Sequence, residues 1–328
     1  MSDQAVQTNI IDNPFADYNL VSLNRSFWSG EITAKLRPEL DPATRRQIRK
    51  SYKLKKVLVN DDNPLFKAPK AEMNTFYSWL VGDPNHLGEA LPFAIDGTYL
   101  LHKDKVTKVN EEFKASKVKI KQAVNALKVG YSELKEDART KFVNLNASLF
   151  ADSKIQQYFV VEYNEAEYPD YDELDSRYDM NLRIVEMLNT PSDLPPGIKA
   201  EQEEELRQMF EEAKEKCVLM LLEKFRNCVA NLAERTSTPD AIVRSKSAAI
   251  DNPRTFCEQF EQTLNLHNNK ELSALVNQCK ASLAKVKDMQ TLKNQDNLRM
   301  QVHSDMDKIC NSLEGMITIS KGRKFFGE

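Results

Sequence analysis

The side chains best suited to chemistry in this chain are cations arranged in two acid-free runs. Between Asp41 and Asp61 lie Arg45, Arg46, Arg49, Lys50, Lys53, Lys55 and Lys56, with no carboxylate among them. Asp41-Pro42 reads as a helix start, aspartate as cap and proline in the first turn. Helical spacing over 43–56 would put Arg45, Arg46, Arg49, Lys53 and Lys56 on one face, with Ile48 and Tyr52 close to one another. The second run is Lys114, Lys117, Lys119, Lys121 and Lys128, with no acid between Phe113 and Ser132. Such rows can follow a phosphate backbone. They can equally answer an acidic segment, in cis or in a neighbouring subunit, or stand as plain solvated faces. The sequence supplies such a segment. Residues 162–179 carry Glu162, Glu165, Glu167, Asp170, Asp172, Glu173, Asp175 and Asp179 against one Arg177. Tyr158, Tyr163, Tyr168, Tyr171 and Tyr178 accompany them. Tyrosine offers contact area at small entropic cost. Tyr163, Tyr168, Asp170, Tyr171, Asp172, Glu173 and Asp175 are therefore a candidate docking surface for a basic partner, with a solvated loop as the plain alternative.

Other chemistries lack their residues. Nucleotide hydrolysis needs a glycine-rich loop backed by a lysine, and neither that loop nor a dinucleotide-binding glycine pattern occurs. A zinc site needs closely spaced Cys and His; the nearest cysteines, Cys217 and Cys228, are eleven apart on one apolar stripe and read as small core residues. His86, His102, His267 and His303 are dispersed. The acidic run lacks the glycine and the spaced glutamate of a calcium loop. The expectation is a non-enzymatic protein with no cofactor and no resident metal.

The element that must position these charges is the stretch 104–149. Val106, Val109, Phe113, Ile120, Val124, Leu127, Tyr131, Leu134, Ala138, Phe142, Leu145 and Leu149 recur in threes and fours, with one polar slot at Ser116 and Lys117. That is a near-heptad stripe, interrupted by no proline and by one poor helix former, Gly130. As one helix it would run roughly 70 Å, a coiled-coil-like spine.

Before it, residues 1–22 are polar and read as loosely held, and Leu23 to Gly30 as a short strand or turn. A helix over 70–81 would bury Met73, Phe76, Tyr77 and Leu80, and Gly82-Asp83-Pro84-Asn85 would stop it. Asp96-Gly97, flanked by Leu91 to Ile95 and Thr98 to Leu101, predicts a hairpin. After the stripe, 155–163 fits either a strand or a helical turn, 176–189 reads as a short helix ending at Pro191, and Pro195-Pro196-Gly197 marks a break. Residues 199–235 carry Leu206, Phe210, Ala213, Cys217, Met220, Leu221, Phe225, Cys228 and Leu232 at helical spacing. Thr238-Pro239 and Asn252-Pro253 punctuate the segments beyond that helix. Three further helices hold Phe256, Phe260 and Leu264; Leu272 to Val286, starting near Asn269; and Leu298 to Met316. The tail from Lys321 is basic and aromatic.

With 328 residues, 41% hydrophobic, 29% charged and only nine glycines, the chain is suited to helices with one buried stripe. The fold class expected is mainly α: an antiparallel helical bundle, a long spine helix and a small N-terminal lobe containing a β-hairpin. The linear division is 1–102 (mixed lobe), 103–150 (spine), 151–197 (acidic, tyrosine-rich connector) and 198–328 (helical bundle). MSDQAVQTNIIDNPF has no apolar core of a signal peptide, and no run approaches the roughly 20 apolar residues of a membrane span. Five cysteines in helical patterns favour a reducing compartment. A cytoplasmic, soluble protein without membrane contact is expected.

Trp28-Ser29-Gly30 followed by Lys35-Leu36, the block Gly97-Thr98-Tyr99-Leu100-Leu101 that launches the long helix, and the Phe113, Tyr131, Leu134 pattern within it resemble a helical family of phage and plasmid proteins, domain of unknown function 3150. The likeness runs over most of the chain, with Glu31-Ile32-Thr33 standing where the family's basic residues are expected. The resemblance implies a helical, non-catalytic protein whose gene lies beside those of a MoxR-type AAA+ ATPase and a von Willebrand A-domain protein. No catalytic residues come with it. It implies a scaffold or adaptor that acts with those partners, as a homo-oligomer or otherwise, in the host cytoplasm if phage-encoded. Two rivals stand beside it: a nucleic-acid-binding accessory protein using Arg45, Arg46, Arg49, Lys50, Lys53, Lys56, Lys114, Lys117 and Lys121, and a virion structural protein.

Overall fold

The structure, a computed structural model, describes residues 15–84, 86–186, 196–261 and 269–325. It is mainly α, with long helices and a small antiparallel β lobe near the N-terminus. In chain order come β1 (Tyr18–Ser26), β2 (Glu31–Thr33), β3 (Lys35–Leu36), α1 (Pro42–Ser51), β4 (Lys55–Val57), α2 (Pro64–Val81), β5 (Gly82–Asp83), β6 (His86–Leu87), β7 (Ala90–Pro92) and β8 (Thr98–His102). Next are α3 (Val106–Val129), α4 (Tyr131–Leu145), α5 (Ala147–Ala151), α6 (Ser153–Tyr158), β9 (Phe159–Val160), α7 (Leu174–Arg177) and β10 (Asp179–Glu186). The chain ends with α8 (Pro196–Thr236), α9 (Pro239–Val243), α10 (Ala248–Gln259), α11 (Lys270–Leu283), α12 (Met289–Asn294) and α13 (Asp296–Phe325). No helix among the described residues is long and apolar enough to cross a membrane.

Local chemistry sets several boundaries. Asp41 caps α1 by accepting from the Ala43 and Thr44 amides at 3.0 and 2.9 Å, with Pro42 in the first turn. Asn269 does the same for α11 through Leu272. The hairpin forms where Asp96-Gly97 predicts it: the Thr98 amide donates to the Ile95 carbonyl, and Gly97 takes φ +76°. Strand β8 then pairs with β7 and with β1, in the sheet order β10-β1-β8-β7.

The chain divides into two compact units that are not consecutive stretches. One comprises Met1–Ser22, Tyr77–Val109 and Arg183–Glu328; the other Leu23–Phe76 and Asn110–Leu182. The first, the helical unit, is built on the 41-residue α8. Helix α13 runs antiparallel to it, tied by Lys321–Glu223 at 2.7 Å, Arg226–Glu314 at 2.9 Å and a 2.9 Å contact of His303 Nδ1 with the Ala233 carbonyl. Phe225 stacks on Phe256 at 4.5 Å, Cys217, Cys257 and Cys279 fill the same core, and Cys228 is buried as well. All five cysteines are free, and burial pushes the Cys217 and Cys228 thiols up to about 12, so they behave as small apolar residues. Lys224 is used structurally: its ammonium donates to the carbonyls of Val81, Asp83 and His86, where α2 gives way to the β5–β6 turn.

The second, mixed unit is organised on the 104–149 stripe from Asn110 onward. Ile120, Val124, Leu127, Tyr131, Leu134, Ala138, Phe142 and Leu149 are buried as expected, and Ser116 joins them. The stripe is divided, however, rather than being one spine. Helix α3 has 24 residues and α4 has 15, meeting at Gly130, where a Cβ would stand 2.4 Å from Leu65 Cδ1. Asn146 ends α4 by giving its amide to the Val57 and Phe142 carbonyls and accepting from the Val57 amide. The longest helices are α8 and the 30-residue α13.

Several local expectations are corrected. Residues 15–22 are not loose: Phe15 and Val21 are fully buried and β1 begins at Tyr18. The short helix at 176–189 is instead strand β10, because Met180, Leu182 and Ile184 alternate with the outward Asn181, Arg183 and Val185 at period two. Residues 155–158 close a short helix and 159–160 form a strand. Helix α2 begins at Pro64, six residues before its expected start, and Pro253 lies inside α10 rather than ending a segment. The expectations for Pro191, Pro195, Leu264 and His267 fall outside the described residues.

Candidate functional site

The first basic run does not stay on one helix. Helix α1 stops at Ser51, Tyr52 is extended, and Lys55-Lys56-Val57 pairs antiparallel with Glu31–Thr33. Lys56 therefore leaves the face assigned to it. It is fully buried, ion-paired with Glu167, hydrogen-bonded to the Glu162 carbonyl at 3.1 Å and 5.8 Å from the Phe142 ring centroid. A buried carboxylate captures it, which the helical reading does not anticipate.

The rest of that run remains outside. Arg46, Arg49, Lys50 and Lys53 are exposed. Arg45 is half-buried, its guanidinium donating to the carbonyls of Arg37 and Pro38. Arg45, Arg49 and Lys53 join Thr33, Ala34, Lys35, Leu36, Tyr52 and Phe159 around a groove of about 460 Å³. Ala34 and Phe159 of its lining belong to the apolar cluster with Ile48, Leu149 and Val161, through which Ile48 anchors α1. Four cations line the groove and no carboxylate does; Lys35 reaches Glu167 at 3.6 Å outside the lining. Tyr52 is 48% exposed, its ring edge-on to Phe159 at 6.5 Å.

The second run meets the acidic segment in cis. Lys117 binds Asp179 at 2.8 Å and the Met180 carbonyl at 3.0 Å, Lys128 binds Asp175 at 2.5 Å, and Lys135 binds Glu165 at 2.6 Å. As the lysine number rises the acid number falls, so the segment runs back along α3 and α4 antiparallel to them. The hydrogen bond from Lys117 holds the Asp179 carboxyl below its ordinary value, and that from Lys135 does the same for Glu165. Lys128 is raised by its bond to Asp175 and also lies over the Tyr171 ring at 4.9 Å. Lys114, Lys119 and Lys121 stay exposed.

This packing turns most of the tyrosines inward. Tyr168 and Tyr178 are 6% and 5% exposed. The Tyr168 hydroxyl donates to the Leu58 carbonyl at 2.6 Å and that of Tyr131 to the Pro169 carbonyl at 2.7 Å. Trp28 packs edge-on against Phe66, Tyr131 and Tyr168. Burial pushes the Tyr131, Tyr168 and Tyr178 hydroxyls far above the ordinary tyrosine range, so they remain neutral donors. Tyr163, half-buried, packs on Phe142 and Tyr168. The turn Asp170, Tyr171, Asp172 and Glu173 faces outward as one exposed stretch, with Tyr171 at 54%. Glu173 is shared with Arg177 at 3.0 Å.

Sequence reasoning missed one charge cluster, in the helical unit. Glu89, 8% exposed, takes Lys105 at 3.1 Å and Lys108 at 2.6 Å, and Lys108 covers the Trp79 ring at 5.5 Å. A lone glutamate before an apolar strand, sixteen residues from its nearer lysine, gives no local signal. Among the described residues no group of three or more His, Cys, Asp or Glu side chains is arranged to hold a metal ion. Comparison of the chain with protein-family models, curated proteins and solved structures finds no match.

Proposed function

We propose that this chain is a non-catalytic helical scaffold or adaptor, phage- or plasmid-encoded, that docks onto a MoxR-type AAA+ ATPase and its von Willebrand A-domain partner. The observation that carries the docking part is the turn Asp170–Glu173. It presents Tyr171 beside Asp170 and Asp172, two exposed carboxylates that form no ion pair among the described residues, from a segment clamped to α3 and α4 by three lysines. A rigid acidic turn with an exposed aromatic costs little ordering on binding, and its field speeds encounter with a basic surface. The identity of the partners rests on the family resemblance. The absence of a phosphate-cradling motif in the sequence means that any energy-driven step would be powered in trans.

The test is co-expression with the two neighbouring gene products and a pull-down at moderate salt. Deleting 164–176 is a poor probe, since it would remove the buried Tyr168 and Leu174. The substitutions Asp170→Lys, Tyr171→Ala and Asp172→Lys alter only exposed positions. Retention of either partner by the intact chain, lost in the triple variant with the helical circular dichroism unchanged, is the expected result. Failure of the intact chain to retain either partner would remove the adaptor reading.

A further inference from the structure

We propose that the groove beside α1 is a binding site for single-stranded nucleic acid. Three features of this one place, none of them used by the adaptor reading, suit it to that ligand.

The first is charge. Lys35, Arg45, Arg49 and Lys53 line the groove, no carboxylate does, and Arg46 and Lys50 extend the positive field along the exposed side of α1. Five acids of the mixed unit are engaged elsewhere: Glu31 with Lys55, Glu167 with Lys56 and Lys35, and Glu165, Asp175 and Asp179 with the lysines of α3 and α4. Lysines 117 and 128 are thereby consumed, whereas Arg49 and Lys53 are not.

The second is spacing. Arg45 and Arg49 stand one helical turn apart, about 5–6 Å between Cβ atoms, and Lys53, past the helix end, lines the same groove. Cations at that separation suit successive phosphates of one strand. Arg45 is already oriented by two backbone carbonyls, and its Nε is buried without a partner.

The third is aromatic. Tyr52 projects half-exposed between Arg49 and Lys53, braced edge-on by Phe159. An aromatic face among cations is the arrangement on which an unpaired base stacks while its phosphate is neutralised. A duplex keeps its bases stacked on one another and has no use for Tyr52. An acidic peptide would answer the cations without needing the ring.

The test is fluorescence anisotropy of the full chain with labelled oligothymidylate, labelled oligouridylate, a labelled DNA duplex, and poly-glutamate as competitor. The expected result is binding of one or both single strands, with a log–log salt slope of about −2 to −3, from roughly 0.7 per neutralised phosphate over three or four cations. The tighter of the two strands identifies the sugar. Arg49→Glu with Lys53→Glu should make that slope shallower by about 1.4. Tyr52→Ala should weaken binding about tenfold and Tyr52→Phe should restore it. Lys114→Glu with Lys119→Glu, on the exposed side of α3, should leave binding within about twofold. Circular dichroism confirms that each variant is folded. No binding by the folded wild-type chain at low salt overturns the proposal. So does duplex binding as tight as single-strand binding and indifferent to Tyr52→Ala, or full displacement by poly-glutamate at equal charge.

Discussion

Removing the Lys56 ammonium should be among the most damaging single changes in the mixed unit. Lys56 is fully buried, and the Glu167 side chain it pairs with is only 4% exposed. Lys56→Met keeps the stem but loses the ion pair, the hydrogen bond to the Glu162 carbonyl and the contact with Phe142. It leaves a carboxylate in the interior with Lys35 alone, at 3.6 Å and itself 67% exposed. Breaking a buried pair from one side costs about 3–5 kcal/mol, and the surviving Lys35 places the expected loss near the lower end, about 3 kcal/mol. Replacing both partners, Lys56→Met with Glu167→Leu, removes the stranded charge and should return stability to within about 1 kcal/mol of wild type.

The assay is urea unfolding followed by tryptophan fluorescence. One tryptophan lies in each unit, so a Trp79→Phe background leaves Trp28, 8% exposed, as the reporter of the mixed unit alone. This matters because a chain of two units need not unfold in one step. At a slope of about 2 kcal/mol per M, a 3 kcal/mol loss moves the midpoint by about 1.5 M. If Lys56→Met costs under about 1 kcal/mol, or the double variant loses as much as the single one, the pair is not a buried, mutually dependent unit.

Leu127→Asp, at a fully buried position of α3, should cost several kcal/mol and sharply lower soluble yield, whereas Lys119→Asp on the exposed side should stay within about 0.5 kcal/mol; soluble yield reads the first and the urea titration the second. Lys128→Asp should not be neutral, because it would face Asp175 where an ion pair stood. For Glu89, burial favours the neutral acid, but the hydrogen bond from Lys108 and the charge of Lys105 prevail and hold its carboxyl below the ordinary 4.5. The folded state thus prefers the ionised form, and this contribution is present above about pH 4.5 and lost as the pH falls below it. Glu89→Gln should lower the melting temperature at neutral pH and flatten the acid limb of its pH profile, monitored at Trp79; an unchanged acid limb would refute that assignment.

How much was legible in the sequence depended on whether the signal was local. The Asp41 cap, the Asp96-Gly97 turn and the apolar stripe of α3 and α4 are set by residues within a turn or two of one another, and they stand where the pattern placed them. The pairing of α3 with the acidic segment was half-legible. Lys121, Lys128 and Lys135 recur every seven residues, which marks one helix face, and the acids run in reverse order. What the pattern lacked was the depth of burial. Tyr168 and Tyr178 look like contact residues in a charged run, yet they close the core under Trp28 and Tyr131. Lys56 looks like one more cation of a basic helix, and only its partner, 111 positions later, makes it a core residue. Long-range pairing of buried charges leaves no periodicity to read.

The internal pairing also decides which charges are left to act. A lysine held against a carboxylate has already exchanged its hydration for a protein partner, so it has little to gain from a phosphate. Sorted this way, the mixed unit's two basic runs are not equivalent: α3 spends Lys117 and Lys128 on Asp179 and Asp175, while α1 leaves Arg46, Arg49, Lys50 and Lys53 exposed. The acidic segment divides likewise, into carboxylates that clamp it to the helices and the outward pair Asp170 and Asp172. One unit therefore carries two surfaces of opposite sign made of different residues. Charge reversal at Arg49 and Lys53 should weaken oligonucleotide binding, flatten its salt slope and leave partner retention intact. Reversal at Asp170 and Asp172 should do the opposite. A variant set in which both activities fall together, with the fold preserved, would mean that the two surfaces serve a single ligand and that sorting charges by their internal partners misassigns them.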